Sequence, residues 1–152
     1  MIVYSRFALD TNILVYAADR NAGDKHKAAD KLMQDAADKD CFLTLQSLGE
    51  FFHATTRKGL ASVEEATAYI ETWQGVYNVT AANSSCLNDA IEAVLDHKLS
   101  FWDALIWATV KQADCAFILS ENMRNGRRLD GVEIVNPFLE ESGAILNKLL
   151  GR

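Results

Sequence analysis

The stretch Phe7-Ala8-Leu9-Asp10-Thr11-Asn12-Ile13-Leu14-Val15-Tyr16 constrains this chain more than any other. A few apolar residues run into one acid, two polar residues follow, and a second apolar run begins. The pattern reads as the end of a short buried strand turning into a helix, with Asp10 at the strand's carboxyl end. In open α/β sheets that edge is where ligands bind. Asp10 has two readings at this point. It is either the N-cap of a helix starting near Asn12 or a working carboxylate that needs partners from elsewhere in the chain.

The rest of the pattern predicts strands alternating with helices. Strands are expected at 7–9, 41–45, 76–79, 115–119 and 132–135. Helices are expected at 12–18, 25–39, 48–58, from Ser62 through Trp73, 83–97 and 101–113, with a last helix at about 138–150. Ser47 reads as the cap of the 48–58 helix, with Glu50 completing a capping box. Leu87, Ala90/Ile91 and Val94/Leu95 read as the inward face of the 83–97 helix. Alternation of this kind implies a mostly parallel sheet covered by helices. At 152 residues the chain is most simply one domain, residues 1–152 with a core at about 7–137, long enough to bury a core.

Three further acids draw notice. Asp103 is the only charged residue between Phe101 and Val110, in a segment apolar on nearly every side. A lone carboxylate in such a core helix is costly unless paired or metal-bound. The alternative is a first-turn acid favoured by the helix dipole. Glu121 follows the apolar run Cys115–Leu119 at a second strand end, with Asn122 beside it as a rival donor. Glu50 lies opposite Leu48 and Phe52 on the helical wheel, so periodicity alone turns it to solvent.

Several chemistries lack their signatures. His26, His53 and His97 are scattered with no HExxH, and Cys41, Cys86 and Cys115 form no CxxC, so a zinc site or a disulfide framework is not indicated. No phosphate-binding glycine loop and no GxSxG elbow occurs. No apolar run approaches the ~20 residues of a membrane span, no secretory signal is evident, and a reduced, cytoplasmic setting is expected. The net charge of -6 argues against gripping nucleic acid by bulk charge, but acids gathered around a cation invert the local field. Carboxylates converging on one sheet edge would make a hard-oxygen site for Mg²⁺, with Mn²⁺ as the alternative.

The ordered set Leu9-Asp10-Thr11-Asn12, Glu50 in Ser47–Phe52, Phe101-Trp102-Asp103-Ala104 and Leu119-Ser120-Glu121-Asn122 resembles the PIN-domain family, and within it the VapC-type toxins of type II toxin–antitoxin systems. The resemblance implies a three-layer α/β/α sandwich with a short, mostly parallel central sheet. It implies an Mg²⁺- or Mn²⁺-dependent endoribonuclease in which Asp10, Glu50 and Asp103 hold metal. It thereby turns Glu50 inward, against the wheel. Asn122 stands where the family usually has a fourth acid, and Glu121 is the neighbouring substitute. Thr11, Asn12 and Ser120 correspond to supporting residues. The resemblance also implies a homodimer, a small basic antitoxin and an RNA substrate, transfer RNA among the candidates. Arg124, Arg127 and Arg128 are candidate RNA contacts or simply a solvated loop, as are Lys25, Lys27 and Lys31 with His26 nearby. Two other readings remain: an Asp10-nucleophile phosphatase with Asn12 in the second acid's place, and an interaction module that has lost activity at Asn122.

Overall fold

Seven helices wrap a six-stranded sheet whose central strands are buried on both faces. The computed structural model describes all 152 residues. The elements are β1 (Val3–Leu9), α1 (Thr11–Ala18), α2 (Asp24–Ala36), β2 (Cys41–Thr44), α3 (Leu45–Arg57), α4 (Val63–Val76) and β3 (Asn78–Thr80). They continue with α5 (Ser84–His97), α6 (Phe101–Gln112), β4 (Cys115–Leu119), β5 (Arg128–Leu129), β6 (Val132–Val135) and α7 (Gly143–Leu150). The sheet order is β3-β2-β1-β4-β6-β5. Every pairing is parallel except β5 with β6.

The period-2 alternation of a strand sorts the core into two layers. Phe7 and Leu9 of β1 join Leu43 of β2 in the larger apolar cluster, against α1, α2, α3, α4 and α7. Ala8 faces the other way, into a smaller cluster with α5 and α6. The expected three-layer α/β/α sandwich is therefore the fold. β2 lies on one side of β1 and β4 on the other, so the chain order reverses between β1 and β4. That is the switch point where crevices open in such sheets.

Five local expectations are corrected. Helix α3 starts three residues early: Thr44 is its cap, accepting from the Ser47 N–H at 3.0 Å, and Ser47 is wholly buried. Glu50 is therefore the sixth helical residue and belongs to no capping box. In α5 the inward face is Cys86, Ala90 and Ala93, while Leu87, Ile91 and Leu95 are exposed. Small residues on that face let α5 pack closely on α6. Strand β1 begins at Val3 because Arg6 is satisfied by Asp40, by the Ala113 carbonyl and by the Phe42 ring. Finally, Arg128 is not in a plain loop: β5 and β6 form a hairpin through Asp130-Gly131, both at positive φ (46° and 83°), as a primed turn requires. The last helix also starts later, at Gly143, after a short 3-10 turn at Glu140–Ser142.

Candidate active site

The site grows from the carboxyl ends of β1 and β4. The Asp10 N–H donates to the Leu119 carbonyl at 3.0 Å, which brings Asp10 beside Ser120. Asp10 is 3 % exposed. Its Oδ1 accepts from the Thr11 N–H at 2.7 Å, and its Oδ2 accepts from the Ser120 hydroxyl at 2.7 Å and the Asn12 amide at 3.2 Å. It caps α1 as well, so the N-cap reading holds, and its second oxygen is gripped by Ser120 from another strand end. Burial pushes its carboxyl up to about 6. The hydrogen bonds from Ser120 and Thr11 oppose that rise, and the negative charges of Asp103 and Glu50 add to it. Asp103 of α6 and Glu50 of α3 thus act on Asp10, at the β1–α1 junction, through their charge.

Asn12 and Ser120 form the brace. The Asn12 amide donates also to Ser120 Oγ at 3.2 Å, and its Oδ1 accepts from the Glu121 N–H at 3.1 Å. Ser120 is wholly buried and its Oγ accepts from the N–H groups of Asn122 and Met123 as the chain leaves β4. One asparagine and one serine thus hold Asp10 and both strand ends together.

Glu50 is half-buried, and its Oε1 accepts from Gln46 Nε2 at 2.7 Å. The same nitrogen donates to the Trp102 carbonyl at 3.0 Å, tying α3 to the first turn of α6. Asp103 is half-buried in that turn, its N–H donating to the Ser100 cap at 3.3 Å. A first-turn carboxylate is favoured there by the helix dipole. Gln46 was not singled out in the sequence, where a glutamine in a helix carries no signal.

The fourth corner is built differently. The Glu121 carboxylate pairs with Lys25 of α2 and accepts from the Tyr16 hydroxyl at 2.6 Å. Partial burial works to raise its carboxyl, but the bonds from Lys25 and Tyr16 outweigh this and hold it below the ordinary range. Lys25 also lies over the Tyr16 ring at 5.3 Å. Glu121 is therefore committed to a cation of its own chain, and Lys25 is not a free basic side chain. The Asn122 side chain is exposed with no hydrogen-bond partner. Two of the three arginines are engaged: Arg127 donates to the His97 carbonyl at 2.5 Å, and Arg128 pairs with Glu133 at 2.5 Å. Arg124 is exposed and free of ion pairs.

The oxygen-only donor set fits a hard cation. No three carboxylates, thiolates or imidazoles close into a ready-made cage, so a fully protein-ligated ion is not what the arrangement offers. Only two buried side-chain polar atoms in the molecule lack a partner, Thr11 Oγ1 and Gln46 Oε1. One follows Asp10 in the chain, and the other belongs to the side chain that holds Glu50. Orphaned buried polar atoms are rare and call for water or an ion. A cation that keeps several waters, as Mg²⁺ does, meets both demands.

The fold is similar to VapC20 of Mycobacterium tuberculosis, a sarcin–ricin-loop-cleaving toxin, at TM-score 0.61 and 20 % identity over 74 % of this chain and 86 % of that one. It is similar to a toxin–antitoxin complex chain from Klebsiella pneumoniae, at 0.63 and 19 % over 86 % and 97 %. It is similar also to the DNA-bound VapBC of Salmonella typhimurium, at 0.63 and 16 % over 90 % and 99 %. No curated protein matches the sequence. The family model for the PIN domain matches residues 7–131, a span that holds Asp10, Glu50, Asp103 and Ser120, and the chain belongs to the PIN domain family.

Proposed function

We propose that this chain is a divalent-cation-dependent endoribonuclease, the toxin of a type II toxin–antitoxin pair acting in the cytoplasm. The observation that carries this reading is Asp10: a buried carboxylate at the sheet's switch point, raised by burial and by the charges of Asp103 and Glu50. Carboxylates pressed together without a counter-charge mark functional sites. The fold's similarity to a sarcin–ricin-loop-cleaving toxin and to a toxin–antitoxin complex supports the substrate class and the partner.

Asp10, Glu50 and Asp103 would hold Mg²⁺, with Mn²⁺ as the alternative. Such an ion supplies a more acidic attacking water and charge neutralisation at the phosphate. The chain's own residues do the rest. Ser120, Asn12 and the Thr11 N–H fix the orientation of Asp10, so no rotamer search precedes substrate binding. The Thr11 hydroxyl, unpaired in the structure, is free to donate to a phosphate oxygen or a water. Gln46 holds Glu50 from the opposite side. Arg124 is the arginine available for a phosphate, since Arg127 and Arg128 already have partners. Glu121, paired with Lys25, serves as a brace for this corner.

RNA cleavage in Mg²⁺ or Mn²⁺ tests the reading. Wild type is expected to cut and Asp10→Asn to lose activity by at least 100-fold; equal activity in the two overturns the assignment. An antitoxin with a basic segment suits the acidic edge electrostatically. The interaction-module reading draws on Glu121 being occupied by Lys25, and wild-type cleavage excludes it. A nucleophilic Asp10 is disfavoured because Asn12 stands where such a phosphatase has its second acid.

A further inference from the structure

We infer that Trp102 is a stacking platform for an unpaired base of the RNA next to the scissile phosphate. The inference rests on the endoribonuclease reading and names the substrate feature that its site recognises. Of three tryptophans, Trp73 and Trp107 are buried at 7 % and 3 % exposure, while Trp102 stands at 62 %. Tryptophan is enriched at binding surfaces, where its apolar face and its N–H both find partners. Trp102 precedes Asp103 directly in the first turn of α6. Its backbone carbonyl shares the Gln46 amide with Glu50, so the backbone at Trp102 lies one hydrogen-bonded side chain away from Glu50.

The ring is also held for use. Phe101 meets it edge to face, centroids 4.9 Å apart at 73°, which limits the orientations to be lost on binding. The exposed indole and the partly buried Phe101 ring against it make an apolar ledge. The chemistry that such a ledge recognises is the π-face of a base. Every base has one, and it is accessible only where the strand is unpaired.

With a net charge of -6, and with Arg127 and Arg128 engaged, the chain has little long-range attraction for a polyanion. Stacking does not depend on net charge, so it can supply RNA affinity where electrostatics does not.

Intrinsic fluorescence isolates the residue, because the other two indoles are buried. In the Asp10→Asn background, an eight-nucleotide single-stranded RNA is expected to change the emission, and Trp102→Phe marks how much of it comes from Trp102. Trp102→Ala is expected to weaken that RNA about tenfold, with Trp102→Phe within about threefold of the parent. In the active protein, Trp102→Ala is expected to raise KM with little change in kcat and to shift the preferred cut sites. Unchanged circular dichroism establishes that the variants fold. RNA binding with unaltered emission and unaltered affinity in Trp102→Ala overturns the platform while leaving the endoribonuclease reading intact. An emission change with a protein partner but none with RNA assigns Trp102 to a protein interface and overturns it likewise. Absence of both cleavage and RNA binding in the wild type overturns the platform together with the reading beneath it.

Discussion

At the scale of single residues, Asp10 carries a conflict between stability and work. Its carboxyl sits at about 6, whereas an unfolded chain would have it near 3.8. Between those values the folded state keeps a proton that the unfolded state has lost. Stability therefore falls as pH rises through this window, and the full penalty, about 3 kcal/mol, stands above it. Removing the charge removes most of that penalty. Asp10→Asn is expected to be more stable than wild type at pH 8 by about 1–2 kcal/mol, since the amide replaces some but not all of the hydrogen bonds. The gain should shrink as pH falls below 6, and denaturant melts at pH 5 and pH 8 measure it. Glu121 has the opposite sign. Its carboxyl lies below the ordinary range, so its pairing with Lys25 stabilises at neutral pH and is lost on acidification. As a brace rather than a ligand, Glu121→Gln is expected to keep activity within about tenfold of wild type. A loss as deep as that of Asp10→Asn would make it a ligand instead.

At the scale of elements, the helix termini decide what each acid does. Moving the α3 cap from Ser47 to Thr44 takes Glu50 out of the first turn and onto the edge that meets α6. Periodicity could not show this, because Thr44 and Ser47 are equally good caps and only burial of Ser47 selects between them. The same limit explains α5, where counting large apolar residues chose the wrong face. Alanine and Cys86 face α6, and Leu87, Ile91 and Leu95 make an exposed stripe. The stripe is the apolar face on which the homodimer implied by the family resemblance would form. Light scattering is expected to give a dimer for wild type and a monomer for Ile91→Glu, with little change in unfolding free energy per chain. The β5–β6 hairpin was legible in principle, since Asp130-Gly131 is a strong turn signal, but two residues of strand are too few to register as a period.

At the scale of the whole molecule, the switch point between β1 and β4 makes the site a property of the topology. Asp10 lies on the edge where the parallel strands end, and α3 and α6, which carry Glu50 and Asp103, are tied together near their first turns by Gln46. A cation there would offset the penalty on Asp10 and bind only the folded chain. Mg²⁺ at 100 times its dissociation constant is therefore expected to stabilise wild type by about 2.7 kcal/mol. Asp10→Asn should gain much less, as thermal melts with and without the metal would show. No helix is long and apolar enough to cross a membrane.

Two strand ends with polar residues, Asp10 and Ser120, and a lone Asp103 in an apolar helix are visible in one dimension, because burial patterns and uncompensated charges are local properties. The α/β alternation follows for the same reason. The partners of those acids are not local. That Glu121 turns to Lys25 and Tyr16, that Gln46 joins Glu50 to Trp102, and that Trp102 stays in water depend on which helices lie side by side. These were decided only when the sheet order placed β1 between β2 and β4 and set α2 and α6 against its two faces.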